Sequence, residues 1–287
     1  MKKLKRIDFL KENIQNNLEL LRCPICKNVF TEIKDYSVYC GKGHNFNINK
    51  KGYVHLLTGN HKSLYDAFLF NSRNAVYEAR VYDAFIEKLA ELINNYHQTG
   101  NLLDAGTGEG YFLNELARKL NGFSYLGLDI AKDGLIVAAK SEQPIIWTVG
   151  DLANLPLEEK SLHLILNILS PANYEEFQRV LKNDGILIKV VPGQNYLKEI
   201  RESIQKQFQK EEHSNASVIS TFEKNFNLIH KEAIAYELPV HKELWINLIR
   251  MTPMTSSLTS EERQLLEDSP AEKITIDLIY LIGTAKS

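Results

Sequence analysis

The stretch Leu102–Phe112, LLDAGTGEGYF, decides the fold. An apolar run reaches Asp104, glycines follow at every second position (Gly106, Gly108, Gly110), and a helical pattern begins at Tyr111. Glycine reaches backbone angles closed to other residues and lets a ligand approach the main chain, beside the positive end of the next helix. The spacing narrows the ligand. A dinucleotide fingerprint needs glycine at the third position after Gly108, where this chain has Tyr111, so a pyrophosphate fits poorly. The methionine part of S-adenosylmethionine fits better, with Asp104 available to its ammonium group.

Downstream, short apolar runs at Tyr125–Asp129, Ile145–Val149, Leu162–Ile168 and Gly185–Val191 alternate with helical spacing near 111–120, 132–141 and 173–182. That alternation predicts a doubly wound, mostly parallel α/β sheet, Rossmann-like in kind, and together with a glycine loop suited to S-adenosylmethionine it points to the class I methyltransferase fold. Two further strands, Asn227–Tyr236 and Ile274–Thr284, enclose a helical insertion near 240–270 with Trp245–Met251 and Glu261–Glu267. Asp129 ends a strand 19 residues after Gly110, where a carboxylate accepts hydrogen bonds from both ribose hydroxyls. Asp151 and Leu152 follow the third strand, where an acid and an apolar residue can hold adenine. Taken singly, each aspartate also suits a helix cap or a turn. At the ends of successive strands they agree on one ligand. The fourth strand runs out into Asn167–Asn173, which should face the transferred methyl group and offers no obvious general base.

Upstream, all three cysteines lie close together, as Cys23-Pro24-Ile25-Cys26 and then Cys40, with His44 four residues further on. Two close pairs of soft ligands about a dozen residues apart are how a chain wraps a tetrahedral Zn²⁺, and no cysteine is left over. Three unrelated buried thiols and a surface histidine are the plainer alternative. A closed shell of protein ligands makes the site structural and lets some 35 residues fold without a sizeable core. The pattern divides the chain into a helix and zinc-ribbon-like module over 1–60, a connector and helix over 61–100, and a methyltransferase domain over 101–287. Within these, residues 1–21 read as one amphipathic helix (Ile7, Leu10, Ile14, Leu18, Leu21), 58–75 as an irregular connector and Val76–Tyr96 as one long helix.

The net charge of −2 hides an asymmetry: residues 1–62 hold 12 Lys and Arg against 5 Asp and Glu, which leaves the other 225 residues acidic. A basic N-terminal part suggests a polyanionic partner, although a solvated Lys-rich surface gives the same count. Lys27, Lys34, Lys42, Lys50 and Lys51 would stand on the zinc frame, interleaved with Tyr36, Tyr39, Phe46 and Tyr53, which suit base stacking or a miniature core. No apolar run is long enough to cross a bilayer and the basic start lacks a signal-peptide core, so a cytoplasmic protein without membrane contact is expected.

With these pieces in place the chain resembles the 23S ribosomal RNA (guanine-N1) methyltransferases of the RrmA/TlrB type. The resemblance rests on the CPIC…C…GH module, GYVHLL (Gly52–Leu57), His61-Lys62, DAGTGEGYF, EEFQRVLK (Glu175–Lys182), VVPGQNYLKEI (Val190–Ile200) and LIRMTPM (Leu248–Met254). It implies zinc ligation by Cys23, Cys26, Cys40 and His44, and cofactor contact by Tyr82, Gly108, Glu109 and Asp129. It further implies methylation of guanine N1 in a hairpin loop of domain II that lines the peptide exit tunnel, linked in some members to macrolide resistance, with the zinc module helping to recognise RNA. Thr107 stands where the family usually has Cys, and Asn183-Asp184 where it has Pro-Gly; Tyr65–Asn74 matches only loosely. Methyl transfer to N1 needs loss of its proton, for which Asp66 and Glu78 are weak candidates, both equally suited to ordinary surface roles. A homodimer is compatible with this reading. Two other readings stay open: a small-molecule methyltransferase whose zinc module mediates dimerisation, and a non-enzymatic zinc-dependent RNA-binding protein.

Overall fold

The computed structural model describes residues 5–59, 67–208 and 216–286. Helix α1 (Arg6–Gln15) buries Leu10 and Ile14 on one face, each side chain contributing about 1.5–3 kcal/mol. It stops at Gln15, short of the expected single helix to residue 21, because Asn16-Asn17 interrupts it and Leu18–Leu20 form one 3₁₀ turn. Four short strands follow, β1 (Phe30–Lys34), β2 (Ser37–Cys40), β3 (Asn45–Asn49) and β4 (Tyr53–His55). The expected connector over 58–75 is helical from Ala67, and the long helix from Val76 is two helices, α2 (Ala67–Glu78) and α3 (Asp83–Tyr96). Arg80, at φ +59°, breaks the run between them.

The alternating part then runs β5 (Gly100–Ala105), α4 (Tyr111–Lys119), β6 (Phe123–Asp129), α5 (Lys132–Ala138), β7 (Ile145–Val149), β8 (Leu162–Ile168), α6 (Tyr174–Val180) and β9 (Leu181–Pro192). Helices α7 (Lys198–Phe208) and α8 (Ala216–Asn225) come next, unmarked in the sequence reading, then β10 (Phe226–Pro239), α9 (Lys242–Met251), α10 (Ser260–Glu267) and β11 (Lys273–Ala285). Among the described residues these strands join in the order β1-β2-β3-β4-β7-β6-β5-β8-β9-β11-β10, a single sheet of 11. From β4 to β9 every neighbouring pair is parallel, β11 is reversed, and β10 is antiparallel to β11. The central strands are buried on both faces, as parallel strands between helical layers must be.

The sheet does not end where the cysteine-bearing segment begins. Val54 and His55 of β4 pair with Thr148 and Val149 of β7, and β3 pairs with β4 in turn. Because β4 is parallel to β7 and β3 runs back, the Cys40–His44 turn lies at the carboxyl edge of the sheet and the Lys50–Gly52 turn at the opposite edge. No helix among the described residues is long and apolar enough to cross a membrane.

Candidate active site and zinc site

The glycine loop sits at the carboxyl edge of β5, at the middle of the sheet. Gly106, Gly108 and Gly110 all have positive φ (+84°, +56° and +70°), so each position favours glycine on conformation alone. Space reinforces this at two of them: a Cβ on Gly110 would lie 2.5 Å from the Trp147 ring, and one on Gly106 only 1.9 Å from Ser170 Oγ. Gly106 and Thr107 donate their N–H groups to Leu128 O, and Gly110 donates to Thr107 O. Gly110 then caps α4, whose first N–H groups point back at the loop.

Three expected carboxylates converge here. Asp104 is 2% exposed, accepts a hydrogen bond from Thr107 Oγ1 (2.6 Å), and is pushed up to about 7 by burial, with the Asp129 charge adding and the Thr107 hydroxyl opposing. Asp129 accepts from Gly108 N (2.8 Å) through one oxygen and from Ala131 N (2.7 Å) through the other, so it fixes the glycine loop itself. Asp151 stands after β7, where its side chain accepts from Ala153 N (2.9 Å) and its backbone oxygen from Asn154 N, with Leu152 beside it. Leu152 approaches the same Gly106 face as Ser170.

Glu109, buried to 5% exposure, forms an ion pair with Arg73 of α2 (2.9 Å), and burial raises its carboxyl against the pull of that arginine. The two terminal nitrogens of Arg73 lie over Gly108. Tyr82 is buried behind the loop among Tyr77, Phe85 and Phe112, with its hydroxyl 2.8 Å from that of Tyr196. Arg73, Tyr196 and Trp147 escaped sequence reasoning, whereas Ser170 lies in the Asn167–Asn173 stretch expected to face the methyl group. Tyr196 carried a signal through its place in VVPGQNYLKEI.

At the end of β8 another unforeseen residue holds the Asn167–Asn173 loop. Lys189 of β9 is 4% exposed and donates to Asn167 Oδ1 (2.5 Å) and Ser170 O, and burial draws its ammonium down to about 8. Asn167 in turn donates to Ala105 O and Pro171 O, tying the loop to the strand that carries Asp104. Glu78 is exposed and accepts from Asn74 one helical turn earlier, the ordinary surface role. Asp66, His61 and Lys62 lie outside the described residues. The LIRMTPM segment forms α9 and the turn after it, locked by a bidentate Arg250–Glu267 pair (2.7 and 2.8 Å) and by Trp245 Nε1 donating to Leu266 O. This insertion packs on α2 at the carboxyl edge.

The four expected zinc ligands also meet. Their ligand atoms lie within 4.8 Å of one another, with Cys26 and Cys40 sulfurs 3.6 Å apart and His44 Nδ1 3.5 and 3.6 Å from the Cys40 and Cys23 sulfurs. A tetrahedron with the usual Zn–S and Zn–N bonds has edges of roughly 3.5–3.8 Å, so the set fits the ion. Burial opposes ionisation of Cys40, yet N–H groups of Lys42 and His44, the Cys26 thiol and the His44 ring draw it down to about 6; burial pushes the Cys23 thiol up. Within the N-terminal segment Tyr53 is buried and Phe46 packs edge-on against Phe30, so these two aromatics are core. Tyr36 hydrogen-bonds Asp8. The five lysines do not share one face: Lys27 and Lys42 belong to the turns at the carboxyl edge, whereas Lys34, Lys50 and Lys51 belong to turns at the far edge.

Comparison with known proteins agrees. Residues 21–64 match the zinc-ribbon family described as RlmA, N-terminal, and residues 102–185 match the family described as Methyltransferase domain. Over 279 residues (93% of this chain and 98% of the relative) the chain is 33% identical to YxjB of Bacillus subtilis (strain 168), provisionally named a 23S rRNA (guanine-N(1)-)-methyltransferase. It is 24% identical over 275 residues to the 23S rRNA (guanine(748)-N(1))-methyltransferase of Streptomyces fradiae, again covering 93% of this chain and 98% of the relative. A chain from the complex of the Haloferax volcanii Trm112 methyltransferase activator with a methyltransferase shares the fold, with a TM-score of 0.51, 20% identity, and 79% of this chain and 100% of that one covered. The chain therefore belongs to the 23S rRNA (guanine-N1-)-methyltransferase family, as an S-adenosylmethionine-dependent rRNA methyltransferase with an N-terminal zinc ribbon.

Proposed function

We propose that the protein methylates N1 of one guanine in the hairpin loop of 23S rRNA domain II that lines the exit tunnel. The observation that carries this reading is that the zinc turns and the glycine loop share the carboxyl edge of one sheet. An RNA loop lying across that edge meets Lys27 and Lys42 while presenting a base to the methyl group. In this reading Asp104 receives the cofactor's ammonium, Asp129 the ribose hydroxyls, and Asp151 with Leu152 the adenine. Tyr82 and Glu109 line the pocket behind the glycine loop, and Cys23, Cys26, Cys40 and His44 hold one structural Zn²⁺.

The cofactor supplies an electrophilic methyl group on a sulfonium. Everything else required is positioning. The chain must set N1 in line with the carbon–sulfur bond, exclude water, and let the N1 proton depart as the new N–C bond forms. Asn167 and Lys189 fix the loop that bounds the acceptor side, and the α2–α9 wall bounds the opening. Asp66, the weak candidate base of the sequence reading, lies outside the described residues.

N1 methylation blocks the Watson–Crick edge, so reverse transcriptase stops at the modified base. Primer extension on 23S rRNA should give a stop in the domain II hairpin loop in cells that carry the protein, lost on deletion and regained on complementation. Macrolide susceptibility should change with it. An unchanged pattern in a strain lacking any paralogue would remove the assignment.

A further inference from the structure

The loop that follows β7 is held from outside by the first zinc turn. Asp151 and Asn154 close a tight turn, with Asn154 N donating to Asp151 O (3.1 Å) and Ala153 N to the Asp151 carboxylate (2.9 Å). The half-buried Asn154 side chain then reaches across to the ribbon. Its Nδ2 donates to Pro24 O (3.3 Å), and its Oδ1 accepts from Lys27 Nζ; both partners lie in the Cys23–Lys27 turn. That turn is shaped by Lys27 N donating to Cys23 O and Cys23 N to Asn28 O, with Lys27 at φ +63°. Just beyond, Arg22 N donates to Pro156 O (3.0 Å) and Glu158 N to Leu20 O (2.9 Å), a short antiparallel bridge between Leu21 and Leu157. On the other flank β4, which leads out of the ribbon, pairs with β7 up to Val149, two residues before Asp151.

A turn of this kind has little reason to keep its shape without the metal. Its backbone angles are unusual at Lys27, two of its residues are ligands, and Ile25 at its tip is 56% exposed. We infer that Asn154 is a positioning residue through which the Cys23–Lys27 turn sets the Asp151–Leu152 loop, so that zinc and S-adenosylmethionine bind cooperatively. This rests on the reading that Asp151 and Leu152 hold the adenine. The ribbon is then part of the cofactor pocket as well as an RNA-facing module. Coupling of this sort is reciprocal: whatever factor zinc adds to cofactor affinity, the cofactor adds to zinc affinity.

The test uses the full-length, zinc-loaded protein with S-adenosylhomocysteine as the probe in calorimetry. Asn154→Ala should retain one zinc per chain and weaken the probe roughly fivefold or more. Its KM for S-adenosylmethionine should rise in proportion, with little change in kcat at saturation. Asn154→Asp, which keeps the acceptor for Lys27 and loses the donor to Pro24, should fall between. In the wild type, saturating S-adenosylhomocysteine should slow zinc release to an excess of chelator several-fold, and Asn154→Ala should erase that protection. Asp151→Ala separates the two ideas. If it weakens the probe while Asn154→Ala does not, the coupling is wrong; if Asp151→Ala itself leaves affinity unchanged, the adenine reading is wrong and the coupling falls with it. Equal zinc-release rates with and without the probe overturn the inference independently of any variant.

Discussion

The zinc turns and the glycine loop are both tight, ligand-shaped pieces of backbone at one edge of one sheet, yet they are held by opposite means. The glycine loop is shaped from beneath: Trp147 fills the space under Gly110 and Gly127, Leu128 O takes two loop N–H groups, and Asp129 takes a third. Its geometry is held by contacts within the protein. The zinc turns are packed on one side only. Cys23 and Cys40 are buried beside Leu21, Phe30 and Val38, but Cys26 and His44 are half-buried, Ile25 and Val29 are exposed, and the four ligand side chains converge on one another. Coordinate bonds supplement a small core there, as they do in small zinc modules generally. A packed site loses function by small displacements, whereas a metal-closed site is lost as a unit.

The largest effect should come from the unit that depends on metal. Cys40→Ser should release the zinc and destabilise the protein by about 4 kcal/mol or more, seen as a lower denaturation midpoint together with loss of metal in elemental analysis. Retention of stoichiometric zinc at wild-type stability would break the contrast at once. In the packed site, Gly110→Val forces a side chain into Trp147 at a positive φ. A cost of about 3 kcal/mol is expected, with S-adenosylhomocysteine binding no longer measurable by calorimetry while zinc content stays at one per chain.

Asp129→Ala removes the acceptor of Gly108 N and Ala131 N along with the proposed ribose contact. S-adenosylhomocysteine affinity should fall by about 2 kcal/mol with the zinc intact. Asp104 tests whether burial shapes the packed site electrically. Its folded carboxyl sits at about 7, above that of an unfolded chain, so the unliganded fold keeps a proton that the unfolded chain gives up. The corresponding stability is full below about pH 4 and is lost as pH rises toward 7. Cofactor binding to the ionised form should therefore strengthen about tenfold between pH 6 and pH 8, with a proton released that buffer-dependent calorimetric enthalpies reveal. Flat affinity across that range would sink the proposed ammonium contact. The smallest effect separates the two edges. Lys42→Glu should weaken rRNA binding by about 1 kcal/mol and flatten its salt dependence, whereas Lys51→Glu, at the far edge, should do neither in filter binding at varied salt.

Much of this was written in the residues themselves. Glycines at alternate positions after a strand, a cysteine pair two residues apart, and apolar runs of strand length are local signals, because backbone conformation and chelation depend on residues a few positions away. Residues Ile145–Val149 and Leu162–Ile168 could be read as strands to the residue for that reason. Other features required contacts that no spacing encodes. Arg73 reaches Glu109 across 36 positions, Lys189 reaches Asn167 across 22, and Asn154 reaches Pro24 across 130. Each is an ordinary residue until folding brings it to a buried carboxylate, an amide or a carbonyl in need of a partner. The break at Arg80 was hidden because apolar periodicity continues on both sides of it. The lysines of the ribbon could be read only as a group on one frame, because sequence counts charge without direction, and strand polarity sends Lys34, Lys50 and Lys51 to the far edge. Sequence thus determined which ligands the chain can hold, since ligand chemistry is carried by residue type and short-range geometry. That the zinc ribbon extends the sheet carrying the glycine loop was decided by the pairing of β4 with β7, a hydrogen-bonded ladder between segments some 90 residues apart, and that it leans on the loop after β7 by the contact of Asn154 with Pro24.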